Sequence, residues 1–249
     1  MRLILTGATG VVGSAALNHI LNLPKGEIST LYILSRSPVP AAENKPNVTV
    51  IQHTNYNEYP PELLEKLKGA DGCIWAQGIS QTLVSKEEYI KITLDYPLAA
   101  AKAFSTLSDS FNFVYVSGEG ATQTPGMFTP LFGRVKGQAE TALLNLSTKY
   151  PSLKPFCVRP AYVDTANDPE TLKARLLRPD QQSFKAKSLH AIFGPLMRNV
   201  LTKSDSPTEH LGKFLTDLAK GDGKPLSGEG VAGGGRIIPN VVFRRVAGI

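Results

Sequence analysis

The chain has few of the residues that form disulfide frameworks or metal centres. Its 249 residues include 2 cysteines and 4 histidines, and no cluster of these types has the spacing of metal ligands. Cys73 and Cys157 each lie in an apolar run, which predicts buried free thiols in a reducing compartment rather than a disulfide. We therefore expect a cytoplasmic protein without a metal site.

The sequence also lacks long apolar and long basic runs. No stretch is apolar over the length of a membrane span, and we expect no cleavable targeting segment before the first apolar run. The 27 Lys and Arg residues exceed the 21 Asp and Glu residues and give a net charge of +6, but they are scattered. We interpret the excess as a solvated surface that favours an anionic cofactor, and we expect no nucleic-acid partner.

The most specific motif lies in the first thirteen residues, which read MRLILTGATGVVG. The apolar run at 3–5 predicts a buried parallel strand, and the apolar segment at 11–23 predicts a helix. Between them, Gly7, Gly10 and Gly13 have the spacing G-x-x-G-x-x-G. A strand, a glycine-rich turn and a helix in this order are typical of the first unit of a dinucleotide-binding fold.

Each glycine in this motif has a separate physical reason. Gly7 allows a sharp turn, Gly10 allows backbone to come close to a pyrophosphate, and Gly13 allows the helix to pack tightly on the strand. The helix N-terminus adds free N–H groups and the positive end of the helix dipole, which both favour phosphate. The predicted cofactor contacts of this turn are Gly7, Thr9, Gly10, Val11, Val12 and Gly13.

Strands and helices alternate along the following residues. Further strands are predicted at 31–34, 48–52, 73–76, 113–116 and 156–158, and helices at 61–68, 86–107 and 132–149. This alternation indicates an α/β fold, a doubly wound parallel sheet with helices on both faces. Pro97 lies inside the longest helical stretch and should kink or split it.

The last ninety or so residues have a different pattern, rich in glycine and proline near the end. Helices are expected at 168–177, 188–201 and 207–220, and a short strand at 237–238. We predict a single domain over 1–249. Residues 1–160 form its nucleotide-binding core, and residues 161–249 fold onto this core as a small substrate-covering lobe.

The residues at the end of the second predicted strand indicate whether the chain binds NAD or NADP. An Asp or Glu there would bond the ribose hydroxyls of NAD, but the sequence has Ser35 followed by Arg36. A guanidinium matches a 2′-phosphate in charge and geometry. We therefore predict that Ser35 and Arg36 bind NADP, with NAD less favoured. The alternative is that Arg36 is a solvated surface residue.

The fourth and fifth predicted strands end in small and polar residues. Because the carboxyl ends of parallel strands line the ligand crevice, Ala76, Gln77 and Gly78 are expected to contact the cofactor. Ser117 can donate a hydrogen bond to a substrate oxygen, although it could also be an ordinary strand-end hydroxyl.

These motifs resemble those of a known superfamily. The segment TGATGVVG at 6–13, Ser117 and the segment Val-Lys-Gly at 135–137 resemble the short-chain dehydrogenase/reductases, and more narrowly their atypical, NmrA-like and Tat-interacting-protein-like branch. The segment YIKITLDY at 89–96 resembles the latter group too. The resemblance covers residues 1 to about 165, and it implies a Rossmann-type fold that binds NAD(P).

The resemblance also implies a catalytic set. In the superfamily, a Ser acts with a Tyr-x-x-x-Lys, in which the Tyr exchanges a proton with the substrate carbonyl. The Lys bonds the nicotinamide ribose and lowers the pKa of the Tyr. Carried over to this chain, the set comprises Ser117 and Lys136, but the Tyr position is Phe132. Phe has no hydroxyl, so a contribution of about 10²–10⁴-fold from general acid catalysis must come from another group or is lost.

Three residues could replace the missing hydroxyl. Glu119 follows Ser117 closely and would act as an acid if a dry site raised the pKa of its carboxyl group. Tyr162 follows the sixth predicted strand, and His190 lies in the predicted lobe. Each residue type at such a place is more often structural than catalytic.

Two classes of function fit these residues. The first is an NADP-dependent oxidoreductase that acts on a small carbonyl or conjugated substrate, or a non-redox isomerase or dehydratase on the same scaffold. The second is a nucleotide-sensing regulatory protein that binds a partner. The fold alone does not decide between them. Phe132 favours the second class, whereas Ser117 and Lys136 favour the first.

Overall fold

The computed structural model describes residues 1–178, 181–182 and 193–249, which form alternating strands and helices. The first half contains β1 (Arg2–Thr6), α1 (Val11–Leu21), β2 (Thr30–Ser35), β3 (Val48–Gln52), α2 (Pro61–Leu67), β4 (Gly72–Trp75), α3 (Lys86–Ile90), α4 (Tyr96–Phe104) and β5 (Phe111–Val116). The second half contains α5 (Leu131–Lys149), β6 (Leu153–Arg159), β7 (Tyr162–Asp164), α6 (Pro169–Leu176), α7 (193–199), β8 (Asp205–Pro207), α8 (Thr208–Lys220), β9 (Ile237–Pro239) and α9 (Asn240–Ala247).

Seven strands form one parallel sheet in the order β3-β2-β1-β4-β5-β6-β9. In the central pairs, Leu5 lies opposite Ile33 on one side and Ile74 on the other. Strands buried on both faces have no solvent side, and this explains why β1 has a continuous apolar run rather than alternating polarity. The predicted doubly wound parallel sheet is confirmed.

Helices cover both faces of this sheet and create two apolar cores. Leu3 and Leu5 point into the core that contains α1, α8 and α9, whereas Ile4 points into the core that contains α2, α4 and α5. This alternation follows from the two-residue period of a strand. The carboxyl ends of the strands remain as the edge at which loops can form a site.

The long helical segment around Pro97 is distorted rather than split, because its backbone stays helical from Lys86 to Phe104. The α3 and α4 helices are separated by a π-helical turn at Lys91–Asp95. Proline has no N–H, so it cannot donate to the carbonyl four residues earlier, which is that of Thr93. The buried Tyr115 hydroxyl donates to this carbonyl at 3.0 Å instead. The proline and the tyrosine together account for the change from α-helical to π-helical backbone at this point.

The segment after residue 160 contributes to the sheet as well as to a small second sheet. The β9 strand pairs with β6 at the edge of the main sheet, and β7 pairs with β8. The α8 helix packs on α1, and α9 follows β9 directly. Part of the helix expected at 188–201 lies outside the described residues, which show helix over 193–199. That residues 161–249 cover a substrate stays a prediction.

Two further features of the described residues bear on the sequence predictions. Cys73 and Cys157 are free and fully buried, and burial raises the pKa of both thiols. Among the residues that the structure describes, no helix is long and apolar enough to cross a membrane.

The contact between α1 and α8 yields a stability prediction. A Cβ atom added at Gly212 would lie 2.4 Å from the Ala15 carbonyl oxygen, so the helices must separate. Alanine favours a helix over glycine by about 1 kcal/mol, but overpacking costs about 1–3 kcal/mol and a backbone neighbour cannot rotate away. We expect Gly212→Ala to lower the free energy of unfolding in urea by at least about 1 kcal/mol. Gly126→Ala is the control because its Cβ would meet nothing within 4 Å. Equal stability of the two variants would contradict the close packing.

Candidate functional site

The turn between β1 and α1 is built around its three glycines. Gly7 has φ of +71°, and a Cβ there would lie 2.4 Å from the Ala76 carbonyl oxygen. A Cβ at Gly13 would lie 2.0 Å from the Gly7 carbonyl oxygen. The turn is closed by the Gly10 N–H, which donates to the Gly7 carbonyl at 2.8 Å. Gly7 and Gly13 therefore allow α1 to begin directly against β1 and the end of β4.

Gly10 differs from the other two glycines because the space beside it is open. A Cβ there would meet the Gly7 carbonyl oxygen at 3.2 Å and Arg178 Nη1 at 3.8 Å, and nothing else described within 4 Å. Gly10 is also the N-cap of α1, whose first turn contains no acidic residue and no capping side chain. The free N–H groups at this helix end are therefore available to an anion in the open space.

Two cavities meet at this turn and form one crevice. The first, of about 290 Å³, extends from the turn to Arg36, and the second, of about 250 Å³, extends from the turn to Lys136. The walls that they share are Gly10, Ala76, Gln77, Gly78, Ile79 and Arg178. The crevice follows the carboxyl ends of β1, β2, β4 and β5, which is where ligands bind in open α/β sheets.

The first cavity carries positive charge and no carboxylate. Arg36 is exposed at its edge, and no Asp or Glu lines it in the described part of the chain. The Ser35 hydroxyl donates to the Ser37 carbonyl at 2.7 Å, so Ser35 shapes the turn that presents Arg36. Tyr56, which sequence reasoning missed, forms part of the wall. Its hydroxyl donates to the Leu34 carbonyl at 3.0 Å, and burial raises the pKa of Tyr56 to about 12.

Gln77 gives an independent indication of a ligand. Its side-chain oxygen is buried and accepts no hydrogen bond, although the residue lines both cavities. A buried acceptor without a donor is costly, about 1–3 kcal/mol, and a ligand that brings an N–H or O–H group removes this cost. The open glycine turn, the cationic end and this acceptor together fit a nicotinamide dinucleotide.

Lys136 lies at the other end of the crevice, in the second turn of α5. It lines the second cavity, and its Nζ atom donates to the Ser117 carbonyl. Burial lowers the pKa of Lys136 to about 8, and the nearby Glu140 carboxylate opposes this shift. A lysine with this pKa is present in both protonation states near neutral pH.

Ser117 is close to Lys136, but its hydroxyl is engaged elsewhere. It donates to Glu140 Oε1 at 2.6 Å, and Ser117 is absent from the described lining of both cavities. Arg159 binds the same carboxylate through Nε at 2.8 Å and Nη2 at 2.5 Å. Glu140 is fully buried, so its carboxylate depends on the Arg159 counter-charge and on the hydrogen bond from Ser117. Sequence reasoning missed Glu140, although its position four residues after Lys136 was a signal for a shared helix face.

The Phe132 side chain lies one helical turn before Lys136. A Cβ at Gly120 would lie 3.1 Å from the Phe132 ring, so the ring packs over this glycine. The Phe132 backbone N–H donates to Gln81 Oε1 at 2.8 Å, which ties the start of α5 to the loop after β4. Phe132 is not among the described residues that line the two cavities.

Two of the three predicted substitutes for the missing hydroxyl, Glu119 and Tyr162, do not line the crevice in the described structure. Glu119 is exposed, and its carboxylate accepts from the Asn240 N–H at 3.3 Å. Tyr162 is half-buried in β7; burial raises the pKa of this phenol, and Asp164 adds to the shift. Neither Glu119 nor Tyr162 lines either cavity among the described residues, and His190 lies outside them.

Comparisons with known proteins agree with this architecture. No family model matches the chain. The chain is 36% identical over 263 aligned positions to leucinostatins biosynthesis cluster protein T of Purpureocillium lilacinum, covering 98% of this chain and 94% of that protein. It is 44% identical over 160 positions to botcinic acid biosynthesis cluster B protein 16 of Botryotinia fuckeliana (strain B05.10), covering 61% of this chain and 98% of that protein.

Solved structures with the same fold are more distant in sequence. A short chain dehydrogenase/reductase from Saccharomyces cerevisiae matches with a TM-score of 0.64 and 15% identity, over 96% of this chain and 95% of that one. DesIV, a dTDP-glucose 4,6-dehydratase from Streptomyces venezuelae with NAD bound, matches with a TM-score of 0.63 and 12% identity, over 100% and 79% of the two chains. At these identities the likeness shows the fold.

The buried carboxylate beneath the crevice yields the second prediction. Glu140→Gln removes the charge that pairs with Arg159, and breaking a buried pair costs about 3 kcal/mol because the remaining charge is uncompensated. We expect this loss in the free energy of unfolding, measured in urea. Glu65→Gln is the matched control, because Glu65 and Lys68 form an exposed pair. The control is expected to change stability by less than about 1 kcal/mol. Equal losses in the two variants would contradict a structural role for Glu140.

Proposed function

The chain belongs to one family with leucinostatins biosynthesis cluster protein T and has the fold of the atypical short-chain dehydrogenase/reductases, and we propose that it is an NADP(H)-dependent oxidoreductase. Its substrate is a small carbonyl or conjugated molecule in the biosynthesis of a secondary metabolite, since both curated relatives are named for such biosynthesis clusters. The observation that carries the proposal is the single crevice from Arg36, across the glycine turn, to Lys136.

The preference for NADP rests on charge. The first cavity has Arg36 at its edge and lacks a carboxylate among the described residues, so nothing there would bond a pair of ribose hydroxyls as an Asp does. A guanidinium can form two parallel hydrogen bonds to a phosphate. The same carboxylate-free wall would not repel a 2′-phosphate. We therefore assign the adenosine end of NADP to Arg36 and the nicotinamide end to Lys136.

We assign to Lys136 the role of proton donor to the substrate oxygen. The second cavity has three titratable groups in the described structure, which are Tyr115, Lys136 and Arg178. Tyr115 is fully buried, its hydroxyl donates to the Thr93 carbonyl, and burial raises the pKa of this phenol. An arginine does not release a proton at physiological pH. Lys136, whose pKa lies near 8, is the remaining donor.

The proposed chemistry then uses few groups. The glycine turn, Arg36 and Lys136 would hold NADPH, which would supply a hydride to the substrate carbon. The Lys136 ammonium holds the ribose hydroxyl and the Ser117 carbonyl, and it gives a proton from Nζ to the substrate oxygen. Solvent that enters the open crevice then reprotonates the amine. Glu140 and Arg159 hold Ser117 in place beneath Lys136, and so the Ser117 hydroxyl acts on the geometry of the site rather than on the substrate.

Two observations favour the second candidate function, a nucleotide-sensing regulatory protein. Phe132 has no phenol to offer, and the Ser117 hydroxyl is engaged with Glu140. A protein that only binds the nucleotide would require neither group. The two buried free thiols of Cys73 and Cys157 are consistent with a reducing, cytoplasmic location under either function.

The cofactor assignment is tested by titration calorimetry. Arg36→Ala should weaken NADP⁺ binding by about 1–3 kcal/mol, the value of a hydrogen bond between charged groups, and leave NAD⁺ binding nearly unchanged. Gly10→Val is the control for the site as a whole. Its added side chain enters the open space beside the turn, so it should abolish binding of both nucleotides while the protein stays folded. Equal losses for both nucleotides in Arg36→Ala would overturn the 2′-phosphate assignment.

The role of Lys136 as proton donor is tested by measuring NADPH binding and substrate turnover separately. Lys136→Arg keeps a cation and its donors but cannot release a proton, so we expect NADPH to bind while turnover falls about 10²–10⁴-fold. With the wild type, turnover of aldehydes, quinones or enones should fall as the pH rises through about 8, because the neutral amine has no proton to give. Full turnover by Lys136→Arg, or a rate that is flat across pH 7–9, would contradict this role. An absence of turnover by the wild type would favour the regulatory function.

A further inference from the structure

Arg178 is the one charged side chain shared by both cavities in the described part of the chain. Arg36 lines the first cavity and Lys136 the second, whereas Arg178 lines both. It follows α6 and belongs to the segment after residue 160, far in sequence from the glycine turn. Its position at the middle of the crevice is where the pyrophosphate of an extended dinucleotide would lie.

The described groups around Arg178 would favour an anion at this position. Its Nη1 atom lies 3.8 Å from the point that a Cβ at Gly10 would occupy, directly beside the N-cap of α1. The helix end carries a partial positive charge, and α1 has no acidic residue in its first turn. No Asp or Glu lines either cavity among the described residues. The guanidinium and the positive helix end face the same space. A phosphate placed between them would interact favourably with both.

The packing of α6 on α1 explains how Arg178 reaches this place. The Asn18 side-chain amide of α1 donates to Thr171 Oγ1 of α6 at 3.1 Å. Thr171 is buried, and its N–H donates to Asp168 Oδ1 at 3.0 Å, which caps the start of α6. Because α6 rests on the helix whose N-terminus forms the site, the residue just after α6 is positioned over that site.

We propose that Arg178 binds the pyrophosphate of the cofactor, so that the phosphates lie between the N-terminus of α1 and a guanidinium from the C-terminal segment. This inference rests on the proposed NADP(H) site. It adds a cofactor contact outside the first 160 residues, and it links cofactor binding to the packing of α6 on α1. Arg178 differs from Arg36 in the part of the cofactor that it contacts: the pyrophosphate is common to NAD and NADP, and the 2′-phosphate is not.

Calorimetric titration with NADP⁺ and NAD⁺ tests this difference. Arg178→Ala should raise the Kd of both nucleotides about 10–100-fold, by similar factors, because a charge-assisted hydrogen bond to a common group is lost. Arg178→Lys, which keeps the charge but not the bidentate geometry, should give a smaller increase. Lys173→Ala is the matched control, since this exposed lysine of α6 lines neither cavity. Thermal unfolding without nucleotide shows whether each variant remains folded.

The outcomes separate this inference from the proposed function. If the wild type binds neither nucleotide, the proposed function fails and this inference fails with it. If the wild type binds and folded Arg178→Ala binds both nucleotides as tightly or more tightly, only the role of Arg178 is overturned. A loss for NADP⁺ alone would move Arg178 to the 2′-phosphate and contradict the pyrophosphate assignment. A similar loss in Lys173→Ala would also overturn it, because a general change of charge would then explain the effect.

Discussion

The close contact between the first turn, β4 and α1 is the constraint on which the candidate site depends. Gly7 and Gly13 leave no room for a Cβ atom, since the added atoms would lie 2.4 Å and 2.0 Å from backbone carbonyl oxygens. This contact brings the N-terminus of α1 to the carboxyl edge of the sheet. Gly10 then lines both cavities, and a Cβ there would meet only the Gly7 carbonyl oxygen and Arg178 Nη1 within 4 Å among the described residues. The same helix packs against α6 and α8, so that the C-terminal segment is also positioned by α1.

A second constraint lies beneath the nicotinamide end of the proposed site. The fully buried Glu140 carboxylate needs a counter-charge, which Arg159 supplies, and the Ser117 hydroxyl donates a further hydrogen bond to it. This arrangement fixes the loop after β5, whose Ser117 carbonyl accepts from Lys136. The position of Lys136 thus depends on an ion pair that does not itself line the crevice, whereas the lowered pKa of Lys136 comes from its burial. Phe132, one turn earlier, packs on Gly120 and has no hydroxyl. We therefore assign the role of proton donor to Lys136.

Local sequence signals predicted the fold better than they predicted the site. The β1 strand, the glycine turn and α1 could be predicted because the backbone geometry of that turn admits only glycine at two positions. A distortion of the helix at Pro97 could be predicted because proline has no N–H. The α9 helix was missed, since its 8 residues follow a glycine-rich stretch and are too few for a clear helical period. The roles of Glu140 and Arg178 depend on which elements pack together, and a motif read along the chain does not contain that information. The position of Ser117 at the end of a strand could be predicted. The direction of its hydroxyl could not, because its hydrogen-bond partner, Glu140, is 23 residues away.

The most direct measurement is a crystal structure of the protein with NADP⁺ at saturating concentration. The account predicts the pyrophosphate over the N-terminus of α1, the 2′-phosphate within hydrogen-bond reach of Arg36, and the nicotinamide ribose within reach of Lys136 Nζ. Gln77 should accept a hydrogen bond that its buried oxygen now lacks. An empty crevice under these conditions, or a nucleotide bound in the separate pocket between α8 and α9, would contradict the central claim that the strand-edge crevice is the cofactor site.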